Sequence, residues 1–173
     1  MQSFDTGDKL ESTIPQGVII RDDSDNFFTG VLSAPKIRNT SLAASLEHVV
    51  SVASFGKPGQ SIHFKNASNQ DMAITIRMPA PSRNFGDAVK IYYSENSGVT
   101  WNFHTDTTVI PIHSRPYVEF TTTHFTDFAV VGGGSGSFVI NDDAPATTSL
   151  DVILNMSLPQ SASGMRFQNE GTG

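Results

Sequence analysis

The 173-residue sequence contains no cysteine. This absence excludes disulfide bridges, zinc sites with thiolate ligands and cysteine nucleophiles. Charged residues are also scarce, at 16%, and the formal net charge is −6. There is no run of lysine or arginine of the kind that neutralises a phosphate backbone, so we expect no nucleic-acid partner.

Long apolar runs are missing as well. No stretch approaches the roughly 20 consecutive apolar residues that cross a bilayer, so we expect no membrane insertion. The sequence is instead rich in Ser, Thr, Asn and Gly, and it contains 12 phenylalanines. This composition favours strands and turns over helices, in a chain long enough for one full domain and part of another.

Apolar residues recur with a period of two along much of the chain. The clearest run places Met72, Ile74, Ile76 and Met78 on one face. Such alternation is typical of strands with one buried face, and turn signals separate many short runs of this kind. The sequence therefore predicts an all-β fold, an antiparallel β-sandwich, in residues 1–131.

Residues 41–50 are the exception, because Leu42, Leu46 and Val49 have helical spacing behind a possible Ser41 cap. The β-branched valines that follow favour a strand. We expect at most a short helical turn here, with a strand beginning near Glu47.

A Gly/Ser-rich linker is predicted at 132–137. Residues 138–173 are then either a partial immunoglobulin-like domain or a segment that completes a sheet elsewhere. Two or three strands fit in this length, and a lone hairpin is marginal in water. The candidate assembly strand, a template for pairing with another chain, alternates through Leu150, Val152, Leu154, Met156 and Leu158.

Several stretches of residues 12–132 together resemble β-sandwich modules of bacterial and archaeal surface proteins. They are the run 12–20 followed by 28–35, a "YYS…SGVTW" hairpin and a closing "THFT-FA" strand. Residues 136–143 and 163–169 resemble the start of a bacterial immunoglobulin-like repeat found in surface stalks. The resemblance implies a secreted or cell-surface location and a structural role.

The closing strand is also similar to the cleavage-site strand of GAIN domains, which cut themselves within a His-Leu-Ser/Thr triplet. The similarity implies that Thr126 would attack the Phe125 carbonyl while His124 removes the proton. The cysteines that flank the motif in those receptors are missing here. Residues 122, 124, 126, 128 and 130 also alternate as a plain strand would, which is the interpretation we prefer.

Residues 94–101 fit the Asp-box pattern of sialidases and many other β-proteins. In that pattern Asn96 holds the turn, Gly98 supplies an unusual backbone angle and Trp101 packs beneath it. The motif predicts a folding device and no sialidase activity.

Two acidic runs bring together oxygen atoms of the kind that bind calcium. They contain Asp22, Asp23 and Asp25 in the first run, and Asp142 and Asp143 in the second. Neither matches an EF-hand loop, so solvated turns are the preferred interpretation and calcium the alternative. The five histidines show no pair at metal-ligand spacing.

No hydrolase, transferase or redox constellation is present, so we expect no enzymatic activity on an external substrate. The sequence favours a structural module of an adhesin, stalk or filament, which pairs with other copies or with neighbouring domains and could polymerise by strand exchange. Two alternatives are self-cleavage between Phe125 and Thr126, and glycan binding through exposed Tyr92, Tyr93, Tyr117 or Trp101.

Overall fold

The computed structural model describes residues 9–56 and 60–133, together with the backbone of 137–140 and 154–157. The predicted all-β fold is confirmed: the strands pair antiparallel in every sheet, and the arrangement is consistent with a β-sandwich. None of the described helices has the length and apolar character to span a bilayer. The chain divides into two compact units, residues 1–132 and 133–173.

Unit 1, residues 1–132, contains eleven strands among its described residues. They are β1 (Glu11–Thr13), β2 (Ile19–Arg21), β3 (Lys36–Arg38), β4 (Val49–Ser54), β5 (Ile62–Lys65), β6 (Ile74–Pro79), β7 (Ala88–Ser94), β8 (Asn102–Ile112), β9 (Arg115–Thr122), β10 (His124–Phe125) and β11 (Asp127–Gly132).

Eight of these strands form one curled sheet in the order β1-β6-β9-β8-β7-β11-β4-β3. The long strand β8 links its two halves, because Asn102–Thr108 pair with β7 whereas Val109–Ile112 pair with β9. A strand that changes partners along its length is a common way to make the corner of a sandwich. The sheet therefore folds over itself at β8.

The remaining three strands form a small sheet in the order β10-β5-β2. Its registers place His124 opposite His63, and His63 opposite Arg21. Directly opposed residues point to the same face, so this row crosses one face of the small sheet.

The stretch 121–132, interpreted above as one strand, is three strands. The chain leaves β9 in one half of the large sheet, pairs briefly with β5 through β10, and returns as β11 between β7 and β4. At the two corners, Phe64 N donates to Thr123 O and Phe55 N donates to Thr126 O, both at 2.9 Å. Alternation did not reveal the change of sheet because both faces of β11 are buried.

The main core lies between the folded halves of the large sheet and the small sheet. The predicted inward face of the first alternating run is confirmed, since Ile74, Ile76 and Met78 are fully buried and Met72 is half-buried. A second, smaller cluster packs Leu42 and Trp101 against buried residues of η1, β4 and β11, which are Ala43, Val52 and Ala129.

The short helical turn expected near residue 41 is the 3₁₀ helix η1, Thr40–Ala43, and the strand after it begins at Val49. The predicted cap is wrong by two residues. Asn39, not Ser41, is the N-cap, and its side-chain oxygen accepts a hydrogen bond from Ser41 N at 2.9 Å. Asn39 is extended and precedes the turn, so its side chain can accept a hydrogen bond from the backbone N–H of Ser41. Ser41 lies inside the turn and cannot cap its own N–H.

Unit 2, residues 133–173, contains two described strands, β12 (Ser137–Ile140) and β13 (Leu154–Ser157). They pair antiparallel through four residue pairs, with Phe138 opposite Met156 and Ile140 opposite Leu154. The predicted linker 132–137 begins on the last residue of β11 and ends on the first residue of β12. Residues 134–136 lie outside the described part of the chain.

A buried carboxylate lies where β11 meets β4. Asp127 is only 3% exposed, and its Oδ1 accepts a hydrogen bond of 2.5 Å from Ser54 Oγ. Burial raises the pKa of Asp127 above its ordinary value of 3.8, and the Ser54 hydrogen bond and nearby Arg38 offset part of that rise. The folded state therefore binds this proton more tightly than the unfolded state does.

We predict that Asp127→Asn changes how stability depends on pH. Wild-type stability loses a contribution as pH rises from about 3.8 through the raised pKa, because ionised Asp127 is disfavoured when buried. The variant lacks this loss, so its free energy of unfolding relative to wild type increases between pH 4 and pH 7. Urea unfolding at both pH values measures this difference. The exposed Asp106→Asn is the control, and an equal change in both variants contradicts the prediction.

Candidate functional site

The crossover from β9 to β11 determines where the proposed self-cleavage residues lie. The Thr126 hydroxyl donates a hydrogen bond to the backbone carbonyl of Ser94, at the end of β7. His124 Nδ1 lies 3.5 Å from Thr122 Oγ1. His124 is thus next to a different threonine from the one that would act as nucleophile.

This arrangement does not bring His124 and Thr126 together as base and nucleophile, which would need a hydrogen bond between them. The Thr126 hydroxyl instead ties the β10–β11 corner to the end of β7. The Phe125 ring is buried and packs against Phe55 and Phe64, with ring centroids 5.5 and 4.8 Å apart. Residues 124–126 thus form the packed corner between β10 and β11.

Three histidines that are distant in sequence come together beside this corner. The ring centroid of His124 lies 5.8 Å from that of His63 and 5.3 Å from that of Tyr93. The ring centroid of His104 lies 6.1 Å from that of Tyr93, and His104 Nε2 lies 2.8 Å from the Thr121 carbonyl oxygen. Sequence spacing gave no sign of this cluster, because strand pairing creates it.

No metal site accompanies the histidines: among the described residues, no group of three or more His, Asp or Glu side chains is placed to hold an ion. Burial lowers the pKa of His124 below its ordinary value of 6.5, and the neighbouring His63 and His104 add to this effect. Glu95 and Asp71 act in the opposite direction. His124 is therefore held in a setting that disfavours its charged form.

A shallow groove of about 360 Å³ opens beside the histidines. It is lined by Asp23, Ser61, His63 and Glu95. Ser61 precedes β5, Glu95 follows β7, and Asp23 belongs to the turn after β2, so three separate segments supply the lining. Ser61 is 5% exposed, and its hydroxyl has no hydrogen-bond partner in the described part of the chain.

Unpaired polar atoms are concentrated on this side of unit 1. Four buried side-chain nitrogen or oxygen atoms of the described residues have no partner, and three of them are Arg21 Nε, Ser61 Oγ and His124 Nε2. Arg21 and His124 flank His63 in the row across the small sheet. Because buried polar groups normally have partners, their concentration marks this face as a candidate site.

The acidic turn after β2 is shaped by its own hydrogen bonds. Asp22 Oδ1 accepts from Ser24 N at 3.0 Å and from Asn26 N at 2.9 Å, which fixes a tight turn. Asp25 Oδ2 accepts from Asn69 Nδ2 at 3.4 Å. Two of the three carboxylates proposed for calcium are thus engaged within the protein, and Asp23 faces the groove. Asp142 and Asp143 lie outside the described residues.

The turn at residues 94–101 is organised around Asn96. Its Oδ1 accepts hydrogen bonds from Thr100 N and Ser94 Oγ, both at 2.9 Å, and Ser94 Oγ accepts from Gly98 N at 2.8 Å. Gly98 has a φ of +85°. Trp101 packs partly buried in the smaller core cluster. The turn thereby fixes the position of Glu95 at the rim of the groove.

The aromatic residues considered for glycan stacking are packed into unit 1. Tyr117 is buried, contrary to the exposure that this alternative required, and its hydroxyl accepts a hydrogen bond from Lys9 N at 2.9 Å. Tyr92 and Trp101 are half-buried in the smaller cluster, and Tyr93 is half-buried against the main core. Tyr117 is thus unavailable for stacking on a sugar, and the other three rings are partly covered.

The candidate assembly strand lies in unit 2. Leu154 and Met156 belong to β13, whereas Leu150, Val152 and Leu158 lie outside the described residues.

In comparisons with known proteins, no family model matches the sequence, and no match is found among curated proteins or solved structures.

We predict that Gly98→Ala destabilises unit 1 far more than Gly86→Ala. Both glycines have a left-handed φ, +85° and +90°, which costs an alanine about 1–2 kcal/mol. A Cβ at Gly98 would also lie 2.5 Å from the Leu42 carbonyl oxygen, whereas Gly86 has open space around it. Overpacking adds about 1–3 kcal/mol. Equal losses of unfolding free energy in urea would show that the contact with Leu42 is unimportant.

We predict that His124→Phe weakens the acid sensitivity of the fold. In the wild type the unfolded chain takes up this proton near pH 6.5, while the folded chain resists it, so stability falls as pH drops below that value. Phenylalanine keeps an aromatic ring beside Tyr93 and removes the titration. Thermal unfolding at pH 7.5 and pH 5.0 measures the change.

The control is His113→Asn, at an exposed turn position with a φ of +50° that asparagine tolerates. The fall in melting temperature between the two pH values should be smaller in His124→Phe than in the wild type and in the control. A fall as large as that of the wild type contradicts the role given to His124.

Proposed function

We propose that the chain is a non-enzymatic structural module of an extracellular adhesin, stalk or filament, in which unit 2 completes its sheet by pairing with a strand of another copy or of a neighbouring domain. The observation that carries the proposal is the two-stranded sheet of unit 2. Its described strands pair through only four residue pairs.

A two-stranded hairpin is marginally stable in water because it has too little apolar surface to bury and two open edges. Each of β12 and β13 has one neighbouring strand within the described residues, and among those residues no strand pairs with its other edge. Such an edge is a template for strand addition from another chain. This makes unit 2 the part of the molecule suited to assembly.

Unit 1 suits the role of a rigid module. Its strands are joined in one large curled sheet, and the small sheet covers part of the core. The low charge and the richness in Ser, Thr and Asn differ from the composition of a usual cytosolic enzyme, and the absence of cysteine is compatible with a bacterial or archaeal surface protein. The resemblance of residues 12–132 to surface-protein modules supports the same placement.

Self-cleavage is the alternative for the triplet at 124–126. The Thr126 hydroxyl donates to the Ser94 carbonyl, and its own carbonyl accepts from Phe55 N. The hydroxyl's bond to Ser94 would have to break before it could attack the Phe125 carbonyl, and the bond from Phe55 N holds the Thr126 backbone in place. This geometry favours a structural role for Thr126.

We predict that Met156→Lys abolishes self-association of the full chain. Met156 lies opposite Phe138 in the register of unit 2, and a lysine there opposes a charge to an apolar residue at the pairing site. The matched control is Asn155→Lys, one residue away, which adds the same charge opposite Val139 at a position that is already polar. Light scattering after size exclusion, over a concentration series, measures the average mass.

The wild type and Asn155→Lys should gain mass with concentration, and Met156→Lys should remain at 18.6 kDa. Trp101, the single tryptophan, belongs to unit 1, so its fluorescence reports whether that unit is still folded. A wild-type chain that stays monomeric at the highest concentration, or a Met156→Lys chain that assembles normally, contradicts the proposal.

A further inference from the structure

We propose that the groove lined by Asp23, Ser61, His63 and Glu95 is a binding site for a saccharide, a ligand recognised through its hydroxyl groups. The site lies wholly in unit 1 and is independent of the strand pairing proposed for unit 2. Its volume of about 360 Å³ falls within the range of small-ligand clefts, about 300–1,000 Å³.

The buried hydroxyl of Ser61 shows that the groove is more than an acidic surface. Its oxygen is out of reach of bulk solvent and lacks a partner among the described residues, although it lines an open groove. A buried polar group without a partner is destabilising in the free protein. Rotation of the Ser61 side chain toward the groove would expose this oxygen, and a ligand hydroxyl would then supply the missing hydrogen bond.

The carboxylates of Asp23 and Glu95 can also accept hydrogen bonds from a ligand. Asp23 and Glu95 are exposed, and neither makes a hydrogen bond or an ion pair to another described residue. Asp23 is held by a turn that Asp22 fixes, and Glu95 by the turn that Asn96 fixes. Both walls therefore present acceptors from segments that are already ordered, which lowers the entropy cost of binding.

The mixture of donors and acceptors selects the ligand class. Asp23 and Glu95 are acceptors, whereas the Ser61 hydroxyl and the His63 ring can each donate and accept. An ammonium group only donates, so it leaves the donors of Ser61 and His63 unmatched, and a phosphate is negatively charged, so the two carboxylates repel it. A hydroxyl both donates and accepts, and a sugar presents several at close spacing.

An exposed aromatic ring lies on the β2 side of the same face. Phe27 is 65% exposed, pairs by an isolated bridge with Arg21, and has the Arg21 guanidinium 4.1 Å from its ring centroid. An aromatic ring offers apolar area at low entropy cost, which suits the C–H face of a sugar. The ring is not part of the groove lining, but it would extend the contact area of a sugar that projects from the groove toward β2.

The test is a titration of the ¹⁵N-labelled full chain, followed by two-dimensional NMR. The saccharide probes are the methyl glycosides of glucose, galactose, mannose and N-acetylglucosamine, each raised to 50 mM. Putrescine and inorganic phosphate are the probes for the two competing ligand classes. We expect at least one glycoside to shift the backbone signals of Ser61, His63 and Glu95 saturably, and the competing probes to leave them unchanged.

Two variants locate the binding. Ser61→Ala removes a hydroxyl that has no described partner, so it should leave the melting temperature unchanged or higher while weakening binding at least tenfold. Glu95→Gln, at an exposed turn position, should also weaken binding at least tenfold. Glu47→Gln, an exposed carboxylate elsewhere, should bind as the wild type does. No shift with any glycoside, shifts with putrescine or phosphate alone, or undiminished binding in Ser61→Ala would overturn the proposal.

Discussion

The hydrogen bond from the Thr126 hydroxyl to the Ser94 carbonyl is the contact on which the arrangement of unit 1 depends. It joins the corner between β10 and β11 to the end of β7, so that three strands from two sheets meet at one point. Phe64 N and Phe55 N satisfy the carbonyls of Thr123 and Thr126, which lie immediately before and after β10. Without these bonds, the chain would bury unpaired backbone groups at each change of sheet.

The candidate site follows from the same corner. His124 is carried beside His63 because β10 pairs with β5, and Glu95 reaches the groove because the turn after Ser94 starts at a fixed point. The groove also contains a buried polar atom that has no partner among the described residues, Ser61 Oγ. Groups that destabilise the free protein are common where a ligand binds, since the ligand supplies their partners.

The sequence predicted the strands well where one face is buried and the other is wet, as for Ile74, Ile76 and Met78. It failed at residues 121–132, which it interpreted as one strand. Because β11 is buried on both faces, the residue pattern does not change where the chain moves from one sheet to the other. The histidine cluster had no local signal, since His63 and His124 meet only through the pairing of β5 with β10. Ser61 was equally hidden, because the lack of a hydrogen-bond partner is a property of the folded surroundings.

The position of β11 has a consequence for synthesis on the ribosome. It is the last strand of unit 1 to be made, yet it lies inside the large sheet, between β7 and β4. Those two strands have no described neighbour in common until residues 127–132 have emerged from the exit tunnel. Until then, the edges of β7 and β4 that β11 will cover lack this partner strand. Unpaired strand edges are the state in which nascent β-proteins are most prone to mispairing. A slow stretch of translation just before Asp127 would prolong that exposure, whereas one after Gly132 would give the completed sheet time to close.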